Sequence, residues 1–169
     1  MLFRYRTLSL LLLAAACQRH AVPIAALAPA LPALPVETGV SQTLAQAAQR
    51  PELVNLSGKL SLLASAALMR GAVLNYVNDS APLHLCSAVD APMCAIFCST
   101  VPAFGFGPLS TFARVVEHPG PLACRPCGLH GHARCPLGHF RCARAIETEQ
   151  LLAVLAEAQA RPQPAPISA

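Results

Sequence analysis

From residue 93 to 98 the chain reads Met-Cys-Ala-Ile-Phe-Cys, an unbroken apolar run. A run this short and this apolar marks a strand covered on both faces, as in a parallel sheet flanked by helices. The preceding sequence supplies the alternation that such a sheet needs. Glu52–Leu56 is a short β-compatible run closed by Ser57-Gly58, and Ser61–Met69 spaces Leu62, Leu63, Ala66 and Ala67 as a helix does, with Gly71 as a stop signal. Val73–Val77 is again β-rich and breaks at Asn78-Asp79-Ser80. Ala81–Val89 carries Leu83, Leu85 and Ala88 in a helical pattern, with Pro82 near its first turn, where proline is tolerated. Strand, helix, strand, helix, strand predicts an α/β unit with a Rossmann-like parallel sheet. Ligands of such sheets sit at the carboxyl ends of the strands. Those ends are expected at Ser57-Gly58-Lys59, Asn78-Asp79-Ser80 and Ser99-Thr100-Val101-Pro102.

Composition bounds what the rest of the chain adds. Its 169 residues are 54% hydrophobic and 12% charged, which excludes a solvated, highly charged disordered chain as the whole answer. No run of roughly 20 apolar residues exists to span a bilayer. The net charge of +4 is spread without a basic cluster, Lys59 is the only lysine and tryptophan is absent, so nucleic acid is not an expected partner. Sixteen prolines are too many to be spread evenly through one compact core, and their distribution divides the chain. Residues 1–44 form a poorly ordered or signal-like Leu/Ala/Pro-rich extension, 45–160 the α/β domain, and 161–169 a disordered tail with three prolines. Within the extension, basic residues at Arg4 and Arg6 precede the apolar run Leu8–Ala16 and then Cys17. That order matches a secretory signal and loosely a lipoprotein signal.

The segment from Asn55 to Pro108 resembles the second half of the lipopolysaccharide heptosyltransferases, glycosyltransferase family nine. Asp79-Ser80-Ala81-Pro82-Leu83-His84 looks like that family's Asp-Ser/Thr-Gly/Ala-x-x-His nucleotide-sugar motif. Asn55 to Leu62 is similar to its Asn-Leu-x-Gly-x-x-Ser-Leu segment, and Ala88–Pro92 to its strand entry. The stretch from Cys124 to Cys142 resembles the cysteine-bearing loop of many members. The resemblance runs over about residues 50–155, with its motifs in the family's order.

It implies the C-terminal, donor-binding half of a two-domain GT-B glycosyltransferase. The reaction so implied is inverting transfer of a sugar from a nucleotide-diphosphate donor, typically ADP-heptose, to a lipid-linked saccharide acceptor in the lipopolysaccharide core. No cofactor or metal is required. The protein would be cytoplasmic and work at the inner face of the inner membrane. The exported lipoprotein remains the other localisation. The donor-binding residues implied are Asp79, Ser80, Ala81, Pro82 and His84, with Leu60 and Ser61 on the adenine side and Lys59 steering the anion. Read from the residues alone, capping is the favoured role for Asp79, while Leu60 reads also as plain core and Ser61 as a helix N-cap. The family's N-terminal domain carries the catalytic base and finds no counterpart here. A truncated or frame-shifted copy, inactive alone, is therefore expected, with catalytic residues unknown.

Eight cysteines complete the reading. Cys124-x-x-Cys127, Cys135 and Cys142 enclose His130, His132 and His139. Reduced thiols, a metal site on the four cysteines, and disulfides all fit that spacing. The metal reading carries the alternative function, a small exported or lipid-anchored zinc-binding module. Cys86, Cys94 and Cys98 fall in helix and strand patterns as small core residues.

Overall fold

The computed structural model describes residues 53–162. The signal-like segment, the proline-rich extension and the tail beyond residue 162 lie outside the described residues. The described elements are α1 (Leu62–Gly71), β1 (Asn75–Asn78), α2 (Ala81–Ala88), β2 (Met93–Phe97), a 3-10 turn at Pro102–Phe104, β3 (Ala113–Glu117), α3 (Arg141–Arg144) and α4 (Thr148–Gln159).

The three strands form one parallel sheet in the order β1-β2-β3. Its centre is the apolar run that predicts it. Side chains alternate across a strand, so Met93, Ala95 and Phe97 enter one core with Met69 of α1, Val77 of β1, and Leu83 and Cys86 of α2. Cys94 enters a second core with Leu74, Phe112, Val116, and Val154 and Ala158 of α4. Helices therefore cover both faces, and β2 has no solvent side. Two polar groups lock the layers. Asn75, almost wholly buried, donates through Nδ2 to the Met69 and Pro92 carbonyls, each at 2.9 Å. Tyr76 donates its hydroxyl to the Leu151 carbonyl at 2.8 Å, tying β1 to α4.

Three expectations need correction. Leu53–Leu56 form no strand: Asn55 Oδ1 accepts the Ser57 N–H at 3.0 Å and turns the chain, and Val54 is exposed. The third strand is instead β3, unmarked in sequence because only Val116 of its five residues is buried. The helix at α1 is present, but its buried positions are Ala64, Ala66 and Met69, while Leu62 and Leu63 are exposed. Small residues face the sheet there, so the bulkiest side chains misreport the face. Among the described residues no helix is long and apolar enough to cross a membrane.

Candidate functional site

At the carboxyl end of β1 the chain turns through Asp79 and Ser80 into α2. Ser80 occupies the N-cap position, yet its hydroxyl donates to Asn78 Oδ1 at 2.6 Å and makes no cap bond. Asp79 is not the cap either. Its Oδ2 accepts the Thr100 hydroxyl at 2.5 Å, which fastens the end of β1 to the end of β2. Pro82 has no N–H, and Leu83 donates its own to the Ser80 carbonyl at 3.0 Å. The first turn of α2 thus has fewer amides for an anion than a proline-free turn. His84, exposed on α2, meets Phe106 edge-on at a centroid distance of 6.2 Å. Phe106 lies past the 3-10 turn after β2, so the loops of two adjacent strands flank the same helix start.

Thr100 links this turn to a second region. Arg125 Nη2 donates to the Thr100 carbonyl at 2.8 Å and pairs with Glu117 at 2.5 Å. The guanidinium is one-tenth exposed and the Glu117 side chain 42% exposed, with Glu117 ending β3. Asp79, Thr100, Arg125 and Glu117 therefore form one polar chain across the carboxyl ends of all three strands. Sequence reading places Asp79 and the Ser99–Pro102 turn at strand ends. It misses Arg125, which is an unspecified position inside Cys124-x-x-Cys127, and Glu117, because β3 is unmarked.

Lys59, Leu60 and Ser61 stand apart from this chain. Ser61 caps α1, accepting the Ala64 N–H at 3.2 Å, and is buried. Lys59 is exposed in the turn closed by its N–H to the Leu56 carbonyl. No hydrogen bond, ion pair or ring contact among the described residues ties these three side chains to the Asp79 turn. For Ser61 the capping role is the one observed.

The cysteines divide into two sets. Cys86 and Cys94 are fully buried, and burial pushes their thiols up to about 11 and about 12. Burial likewise raises Cys98. Cys86 and Cys94 are core packing and not nucleophiles, whereas Cys98, expected in the core, is half-buried and belongs to neither core cluster. Cys124, Cys127, Cys135 and Cys142 instead line one cavity of about 200 Å³ with His132 and His139. Backbone N–H groups, that of Phe140 foremost, hold the Cys135 thiol below its ordinary value. Burial raises Cys142, and the neighbouring Cys135, Cys124 and Cys127 add to that rise.

The sequence pattern of glycosyltransferase family 9 (heptosyltransferase) matches residues 29–133. The match begins within the stretch read as an extension and stops before Cys135, whereas the resemblance read from motifs ran over about 50–155. It takes in the Asp79 turn, Thr100, Glu117 and Arg125. No curated protein and no solved structure matches the chain.

Proposed function

The chain belongs to glycosyltransferase family 9, the heptosyltransferases, and from that premise we propose that the carboxyl edge of its sheet binds a nucleotide-diphosphate sugar. The proposed donor is ADP-heptose and the proposed acceptor a saccharide of the lipopolysaccharide core, at the inner face of the inner membrane. The enzyme would be an inverting GT-B glycosyltransferase without a required metal.

The observation that carries the reading is the hydrogen bond from Thr100 to Asp79. It uses one lobe of the Asp79 carboxylate and fixes the direction of the others, so that a sugar hydroxyl can donate to an acceptor already in place. Arg125 holds Thr100 by its carbonyl and Glu117 holds Arg125, so the aspartate sits at the end of a braced row. The diphosphate is assigned to the start of α2, where the Ser80 and Ala81 amides and the helix dipole favour an anion. His84, one turn in, donates to a phosphate or sugar oxygen. Its ring meets that of Phe106 edge-on. Lys59, Leu60 and Ser61 complete the donor site by resemblance. For Ser61 that role competes with its cap bond.

Transfer also requires a base to take the acceptor hydroxyl proton. Among the described residues Asp79, Asp90 and Glu117 are each engaged by hydrogen bonds or an ion pair. We assign none of them that role, and this chain is proposed as the donor-binding part.

The test is calorimetric titration of the full chain with ADP-heptose, ADP and GDP-mannose. ADP-heptose is expected to bind and GDP-mannose not. Asp79→Asn is expected to weaken the sugar nucleotide more than ADP, because the carboxylate faces the sugar. Equal losses for both ligands would remove Asp79 from the sugar site, and no binding by a folded chain would remove the donor-site reading.

A further inference from the structure

Between β3 and α3, residues 118–140 contain no helix or strand. Irregular segments of this length inside a compact unit are uncommon and need an explicit means of being held. Apolar burial is not that means here, since Leu129 and Leu137 are exposed. The loop nevertheless makes close contacts with the sheet. Cys127 donates its N–H to the Ser99 carbonyl at 2.8 Å, and a Cβ on Gly131, whose φ is +71°, would run into the Ser99 side chain.

What the segment does hold in common is sulfur. Cys124 and Cys127, separated by two residues, have the bite of a metal-binding pair. Cys135 opens a tight turn, closed by the Gly138 N–H on its carbonyl at 3.0 Å, with Gly138 at φ +71°. The Phe140 N–H points at Cys135 Sγ from 3.4 Å, made possible by a phenylalanine at φ +50°. Cys142 follows on α3, and all four line the same cavity. His139 Nε2 stands 3.9 Å from Cys124 Sγ, while its Nδ1 accepts the Arg141 N–H at 3.0 Å. Two cations line that cavity as well, Arg125 and Arg134, and the buried Nε of Arg125 has no hydrogen-bond partner.

We propose that Cys124, Cys127, Cys135 and Cys142 form a structural zinc site that clamps the 118–140 loop onto the carboxyl end of the sheet. Four thiolates around a divalent zinc leave a double negative charge. Arg125 and Arg134 line the same cavity and would offset it, and Arg125 Nε is a buried donor with no partner of its own. On binding, each thiol gives its proton to solvent and one S–Zn bond forms, with no change of oxidation state. As the side chains stand, no three Cys, His, Asp or Glu groups among the described residues are disposed to hold a metal. Coordination therefore requires the four sulfurs to move from their present positions toward one point in the cavity they line. Because the same Arg125 braces Thr100 and Asp79, the clamp would set the rigidity of the donor edge.

The experiment is metal analysis of the full chain purified under reducing conditions with added zinc and then desalted. The expected result is about one zinc per chain. Replacement by cobalt should bring thiolate-to-metal charge-transfer absorption, and titration should show four thiols protected until the metal is stripped. Cys127→Ser and Cys142→Ser should lose the metal, and Cys86→Ala, in the opposite core, should keep it. If the serine variants fail to fold, the wild-type chain decides alone. Chelation should then expose residues 118–140 to proteolysis while β-sheet circular dichroism persists. Zinc-free protein in which Cys124, Cys127, Cys135 and Cys142 react as free thiols overturns the proposal, and so does a mass deficit of two hydrogens per disulfide. A cobalt spectrum without sulfur ligation also overturns it.

Discussion

The unit from β1 to β2 and the loop from 118 to 140 are held by different means. In the first, strand and helix alternate, Phe97, Leu83, Met93 and Val77 are fully buried, and each element is fixed by the apolar faces beside it. In the second, a few point contacts hold a chain with no regular structure: the Arg125 guanidinium, the Cys127 and Phe140 N–H groups, and the cysteine cavity. Apolar burial is cumulative and tolerant, whereas point contacts are few and each one matters locally. The two regions meet at Thr100, which is buried at the end of β2, donates to Asp79, and accepts from Arg125.

Removing a core anchor should break both regions together. Phe97→Ala is expected to cost about 3–5 kcal/mol, the usual loss for a buried phenylalanine, seen as a lower denaturation midpoint with sheet and loop lost at once. A chain that kept its loop contacts would contradict the dependence of the loop on the sheet. Arg125→Ala should act on one side only. It strips the Glu117 partner and the Thr100 bond, for about 1–3 kcal/mol discounted by the exposure of Glu117. Limited proteolysis should then cut within 118–140 while the sheet remains. Global unfolding instead would mean that the loop is part of the core unit.

Thr100→Val sharpens the junction itself. The shape is nearly kept and the hydrogen bond to Asp79 is lost, for about 1 kcal/mol of stability. The larger expected effect is weaker ADP-heptose binding with ADP affinity nearly unchanged, measured by titration. The smallest effect belongs to Asp90, at φ +51°, whose carboxylate takes the Thr111 N–H and hydroxyl at 2.6 and 3.0 Å and so fixes the entry to β3. Those bonds hold its pKa below the ordinary aspartate value. A depressed folded-state value means that the contribution is complete above the unfolded value, near pH 4, and drains away as pH falls through the folded one. Asp90→Asn should flatten that acid limb of the unfolding midpoint, since asparagine tolerates the same backbone. An unchanged acid limb would remove Asp90 from the linkage.

The same contrast decides what could be read from sequence. The run at 93–98 announces β2 because both of its faces are buried, and Asp79-Ser80 is legible because a strand must end there. β3 escapes because an edge strand exposing Arg114 and Val115 carries no clear period. The face of α1 is misread because alanines pack where leucines were expected. Arg125 and Glu117 escape for another reason. Their meeting with Thr100 depends on how an irregular loop returns to the sheet, and no local pattern encodes that return.

Amide hydrogen exchange of the full chain, with and without ADP-heptose, tests the central claim most directly. The account predicts slowed exchange at 78–84 and 99–107, the two strand ends joined by Thr100 and Asp79, while the amides of α4 on the opposite face stay unchanged. Protection confined to α4 or to other segments, with the two strand ends unaffected, would contradict it.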